Sequence, residues 1–135
     1  MAIHVDDLKI AGVQDQVDKI IKHLEQEFGK CDITRGTFTN YGVRHRQDPI
    51  TKEITTDQTE YILAIKTIDH PDMRLTSDSS TLASSALQAL YMSLVGAVAF
   101  TLITRIDAAV FMVSLQRVLQ KAQLIHIKRL NTLVS

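Results

Sequence analysis

Residues 81–104 carry no charged side chain. A helix over that stretch would be long enough to cross a bilayer, and in water it would have to be buried over most of its circumference. Its first part holds Thr81, Ser84, Ser85 and Gln88, so the fully apolar portion is shorter, and Arg105 and Asp107 follow directly. Hydropathy therefore favours a buried core helix over residues 87–103, broken at most near Gly96, and no membrane span. Two further apolar helical runs follow, residues 107–119 and residues 123–134. The second sets Leu124, Ile127, Leu130 and Val134 on one face.

The front of the chain is patterned differently. Residues 3–5 and 8–10 are two short apolar runs around Asp6-Asp7, which predicts a tight hairpin with acids at its tip. Gly12 ends the second strand. Val13, Val17, Ile20, Ile21, Leu24 and Phe28 then recur at helical spacing among Gln, Asp, Lys and Glu, so an amphipathic helix is expected, with Gly29 as its stop. Residues 37–46, with Phe38, Tyr41 and Val43, read as a strand; Asp48-Pro49 reads as a turn and residues 53–56 as the returning strand. A further helix begins at residue 57, capped by Asp57 or Thr59. Its apolar face is Tyr61, Ile62, Ile65 and Ile68, and His70-Pro71 ends it. Residues 69–80 are polar and read as a linker. The fold class is α+β: a small mixed front half and an all-helical back half.

Charge and cysteine content narrow the chemistry. The 135 residues hold 15 Lys plus Arg and 15 Asp plus Glu, so any phosphate binding must come from local basic clusters. One cysteine, Cys31, rules out an internal disulfide framework and a Cys-based zinc site, and it fits a reducing, intracellular compartment (cytoplasm or nucleus). No secretory signal is expected, because Asp6 and Asp7 stand where its apolar core would be. The five histidines are scattered with no His-x-x-x-His pair, and there is no glycine-rich phosphate loop and no Gly-x-Ser-x-Gly elbow.

The sharpest local motif is His4-Val5-Asp6-Asp7. Adjacent carboxylates suit a hard divalent cation, since Mg²⁺ takes oxygen ligands and usually only one or two carboxylates plus substrate phosphates. Two such ions about 3.5–4 Å apart stabilise the attacking and leaving oxygens of phosphoryl transfer. The same dipeptide also serves as an ordinary turn or cap. Arg44, His45, Arg46 and Lys52 form a local basic group that suits phosphates, or equally a solvated charged face.

The order of segments adds to this reading. Ile3-His-Val-Asp-Asp-Leu-Lys-Ile-Ala-Gly12 is followed by the helix ending in Glu27-Phe28. Next come Tyr41-Gly42-Val43, Ile54-Thr-Thr-Asp-Gln-Thr-Glu-Tyr61-Ile62, Tyr91-Met-Ser-Leu-Val-Gly96 and Thr104-Arg-Ile-Asp107, then His126-Ile-Lys-Arg-Leu-Asn131. This succession resembles the reverse transcriptase of copia-type LTR retrotransposons over nearly the whole chain. The resemblance implies a palm hairpin with Asp6 and Asp7 as catalytic, metal-binding acids for a two-ion Mg²⁺ site. It implies a primer-grip hairpin around Tyr41 and Gly42, with Arg44 and Arg46 able to touch an RNA/DNA template-primer. It divides the chain into a palm part (residues 1–57), a thumb-like helix and linker (58–80) and a helical thumb and connection region (81–135). The first metal-binding aspartate, the fingers and the nucleotide pocket of such enzymes would lie upstream of residue 1, and an RNase H domain would follow.

Departures from the family pattern are specific. His4 stands where the family usually has Tyr. Ile106 replaces the Pro of Thr-Arg-Pro-Asp, which frees a backbone angle and lets the helix run on. Asp15, Asp18, Asp48, Asp57 and Asp107 lie on other elements, and none is an obvious third ligand. The expectation is a truncated RNA-directed DNA polymerase fragment, inactive alone. The alternative is a domesticated, non-catalytic helical interaction module, because residues 87–134 hold more apolar surface than so short a chain readily hides, and would self-associate or seek a partner.

Overall fold

The computed structural model describes residues 3–4, 7–75 and 77–135. The chain forms two units, residues 1–35 and residues 36–135. In the first unit, strands β1 (Ile3–His4) and β2 (Asp7–Leu8) pair antiparallel, Ile3 opposite Leu8 and His4 opposite Asp7. The expected hairpin is present, with the second strand one residue earlier and shorter than the apolar run suggested. Helix α1 (Gln14–Phe28) follows. It ends where expected: Gly29 takes φ 89°, a left-handed value that glycine adopts without steric cost, and its N–H bonds the Glu25 carbonyl. The Arg35 guanidinium meets Asp18 at 2.7 Å and, with the Gln14 amide, holds that carboxyl below its ordinary range. No residue of α1 is buried, and Phe28 is 82% exposed.

The second unit opens with a three-stranded antiparallel sheet, β3 (Thr37–Asn40), β4 (Val43–Gln47) and β5 (Ile54–Asp57), in that order. Residues 37–46, expected as one strand, are two strands joined by a turn at Tyr41-Gly42. Tyr41 has φ 52° and Gly42 φ 68°, the pair of positive angles that a type I′ hairpin turn requires and that suits strand twist. The Asp48-Pro49 turn is present: the Asp48 carboxylate accepts from the backbone N–H groups of Ile50 and Thr51.

Helix α2 (Thr59–Ala64) is much shorter than the apolar spacing implied. Neither expected residue is the cap: Gln58 holds that position without a side-chain bond, and Asp57, one residue earlier, accepts the Thr59 N–H. The helix stops because Ile65 turns extended (φ −69°, ψ 128°). A few residues on, the Asn131 side chain takes both backbone groups of Ile68, accepting its N–H and donating to its carbonyl, each at 2.8 Å. Extension still packs Ile65 against the core and buries Ile68 in it, so the apolar periodicity was satisfied without a helix. His70 does not end a long helix. Its Nδ1 accepts the Asp72 N–H and caps a single 3₁₀ turn, Pro71–Arg74.

The back half is helical as read: α3 (Ser85–Thr101), α4 (Ala109–Gln116) and α5 (Leu124–Val134). Ser84 caps α3 through Leu87 N–H and donates to Asp72 at 2.5 Å. α3 passes Gly96 unbroken. Ile106 does not let the helix run on. The backbone breaks at Arg105 (φ −122°, ψ 60°), and residues Ile106–Ala108 make a 3₁₀ turn that leads into α4. Gln123 and His126 cap each other at the start of α5.

The core lies among these helices: Leu87, Tyr91, Leu94, Val95 and Val98 of α3, Met112 and Leu115 of α4, and Leu124, Ile127 and Leu130 of α5, with Ile68 from the extended segment. Tyr91 is fully buried and donates to the Leu115 carbonyl at 2.9 Å. Gln88 grips the loop before α5, donating to Leu119 O and accepting from Ala122 N–H. No helix among the described residues is long and apolar enough to cross a membrane.

Asn131 is the strongest single test of this packing. Asn131→Ala leaves both backbone groups of Ile68 without their partner and is expected to cost about 2–3 kcal/mol. Urea unfolding followed by circular dichroism should show a lowered midpoint with an unchanged slope, whereas substituting the exposed Thr132 neighbour side should not.

Candidate nucleic-acid interface

Alternation along β4 sorts its side chains onto two faces. Val43 and His45 turn inward and are buried, while Arg44 and Arg46 turn out. Strand register then decides what surrounds each arginine. Arg44 lies between Thr39 and Asp57, and Arg46 lies between Thr37 and Thr55. The outer face is therefore two guanidinium groups in a field of hydroxyls, with Asp57 at one edge.

The two arginines are exposed and loosely paired. Arg46 stands 3.6 Å from Asp57 and Arg44 3.9 Å from Glu60. Exposed pairs of this length contribute about 0–1 kcal/mol, so a phosphate can displace the acids with little loss. Asp57 is held below its ordinary range first by the Thr59 backbone N–H, then by the Thr59 side chain and the two arginine cations. Guanidinium forks suit phosphate oxygens, and the threonine hydroxyls beside them are further phosphate donors.

The inner face fixes the platform. Phe38 and His45 stack, ring centroids 5.1 Å apart. At the hairpin turn a side chain on Gly42 would meet Phe100 and Tyr61, each at 3.5 Å. Tyr61 and Phe100 meet edge to face at 5.0 Å, and the Tyr61 hydroxyl donates to Ala97 O on α3. Gln58, 2% exposed, donates to Phe100 O and accepts from the Thr104 hydroxyl. The sheet is thus held to the C-terminal end of α3 by one buried amide and an aromatic pair.

The residues expected from sequence fare differently. Tyr41, Gly42, Arg44 and Arg46 come together on one hairpin. His45 leaves the basic group, because it is buried against Phe38. Lys52 also leaves it: φ is 63°, and its ammonium donates to the carbonyl of Pro49 in its own loop. Asp7 lies on β2, Asp6 falls outside the described residues, and both belong to the other unit. Among the described residues no group of three or more His, Cys, Asp or Glu is placed to hold a metal ion. Sequence reasoning missed Thr37, Thr39 and Thr55, although their alternation with Phe38 and Thr56 carried the signal, and it missed the buried Gln58. No protein-family model matches the chain, and comparison with curated proteins and with solved structures returns no match.

The depressed Asp57 carboxyl sets a pH dependence. A folded-state value below the ordinary 3.8 means its contribution is fully present above 3.8 and is lost as pH falls through the folded value. Carboxyl-resolved NMR should show Asp57 titrating below an unstructured aspartate. Asp57→Asn should remove that part of the acid dependence of stability, the part that sets in as pH falls below the ordinary aspartate value.

Proposed function

We propose that these residues are the later part of the palm, with thumb and connection, of a copia-type reverse transcriptase, and that by themselves they do not polymerise DNA. The observation that carries this reading is the antiparallel pairing of β1 and β2: His4 lies opposite Asp7, so Asp7 opens the second strand of a short ladder, as a palm hairpin would have it. Downstream order supports it. An amphipathic helix closed by Gly29 precedes a second hairpin whose turn is Tyr41-Gly42, with two outward arginines beside it.

In this reading Asp6 and Asp7 would hold Mg²⁺, and Arg44 and Arg46 would hold phosphates of a template-primer. Two adjacent carboxylates fit a magnesium ion that keeps its remaining positions for water and phosphate. The ion supplies charge stabilisation at the transferring phosphoryl group when bound. The chain's part is to hold the acids on a hairpin and the nucleic-acid backbone on a sheet. A third acid and a nucleotide pocket are still needed, and the residues given supply no obvious candidate. Without them the positioning contribution of about 7–11 kcal/mol is missing. A second reading, a helical interaction module that ignores the acids, is favoured by one observation: the outer face of α4 is apolar and exposed.

Primer extension and oligonucleotide binding test the proposal together. The purified 135-residue chain should extend no primer with Mg²⁺ present, and extension abolished by Asp6→Asn would overturn the claim that a further acid is indispensable. Arg44→Ala with Arg46→Ala should weaken template-primer binding and lower the salt slope by about 2. Binding indifferent to both arginines would remove the nucleic-acid reading of this face.

A further inference from the structure

Helix α4 turns a continuous apolar row away from the core. Ile106 and Val110 are each 78% exposed, and Phe111 and Val113 remain well exposed. Ser114 and Arg117 are exposed as well. At about 100° per residue, positions 110, 113, 114 and 117 fall on one side of α4, opposite the buried Met112 and Leu115, and Ile106 extends the exposed apolar surface into the turn before it. The steps 110, 113, 117 run three and then four, the spacing of a seam between two helices. Beside the row lies a groove of about 650 Å³ between α4 and α5, with Phe111, Leu115, Ile125 and Leu133 on its apolar side and Lys128 and Arg129 at its polar side.

We infer that this face binds a second copy of the chain, α4 against α4, antiparallel about a two-fold axis. Charge placement selects this occupant and this orientation. α4 holds no charged residue, so two copies meet along it without burying an unpaired charge. Charges flank it: Asp107 in the turn before it and Arg117 at its C-cap. An axis midway between residues 111 and 112 sets Val110 opposite Val113 of the second copy and Asp107 beside Arg117 of the second copy. Symmetry then repeats both contacts. A parallel arrangement would instead set acid on acid and base on base.

Asp107 already accepts two bonds from Arg105, at 2.9 and 2.8 Å. A carboxylate has lone pairs for a second guanidinium, so the new contact adds to that pair and does not compete with it. Phe111 carries the apolar surface from the seam toward the groove, which widens what one copy covers on the other. The dimer needs neither the acids of the β1–β2 hairpin nor the arginines of β4, so it stands or falls apart from the polymerase reading.

Sedimentation equilibrium on the full 135-residue chain at micromolar concentration tests this. A reversible dimer is expected. Val110→Asp, at an exposed site, should give a monomer with unchanged helical circular dichroism. Arg117→Glu should weaken the dimer about tenfold or more, and adding Asp107→Lys should restore it to within about threefold. A monomer at every concentration, an open series of larger species, a dimer indifferent to Val110→Asp, or a charge exchange that fails to restore association would each overturn the proposal.

Discussion

A helix as apolar as α3 has to bury most of its large side chains, and it sets that demand for the second unit, although Leu90 and Met92 stay exposed. Its residues Leu87, Tyr91, Leu94, Val95 and Val98 are buried, and other elements pack along it. α4 and α5 cover one flank. The extended segment after α2 brings Ile65 and Ile68 to the core. The turn of the sheet reaches its C-terminal end through Gly42, Tyr61 and Phe100. A large side chain fully buried is worth about 1.5–3 kcal/mol, so this one helix accounts for much of the drive to fold.

Apolar cover alone does not fix the register of loops on helices, and here polar side chains do so. Asn131 holds Ile68, Gln88 holds residues 119 and 122, Gln58 joins the sheet to Phe100 and Thr104, and Tyr91 reaches Leu115. Asn131, Gln88 and Gln58 each join an irregular segment to a helix, and Tyr91 joins α3 to α4. Among the described residues, no buried side-chain nitrogen or oxygen is left without a partner. A buried network that is complete in this way specifies one arrangement, because any slip leaves a polar group unpaired at a cost of about 1–3 kcal/mol.

The same contrast explains what the sequence could and could not reveal. Helices α1, α3, α4 and α5 were legible because period and composition are local properties, and Gly29 ended α1 where its permissive backbone was needed. The hairpin at residues 3–8 was legible from two apolar runs. The turn at Tyr41-Gly42 was implied by the family resemblance but not by residue pattern, since its first residue is a tyrosine at φ 52° rather than the asparagine or glycine that usually marks such a turn. The end of α2 was not legible either: the chain turns extended at Ile65, and the extended segment is held at Ile68 by Asn131, 63 residues further along. Arg44 and Arg46 were found as a charge cluster, but only strand pairing shows that His45 between them is buried and that threonines flank them. Asp6 gained nothing from the structure, as it lies outside the described residues.

The two candidate chemistries stand on unequal supports. The arginine face belongs to a sheet with three strands, four residue pairs on each side of β4, and a buried amide that ties it to α3. Its guanidinium groups are placed by a scaffold that packing already holds, so binding phosphate asks for little further ordering. Asp7 belongs to a ladder of two residue pairs. A two-stranded ribbon is at best marginal in water until a third strand or a helix covers it. Catalytic carboxylates have to be held within about 0.5 Å of their working positions, which such a ladder does not achieve by itself. A strand added beside β1 or β2 would therefore serve two ends at once under the proposed reading: it would widen the ladder that holds Asp7, and it could carry the further acid that a two-ion site would need.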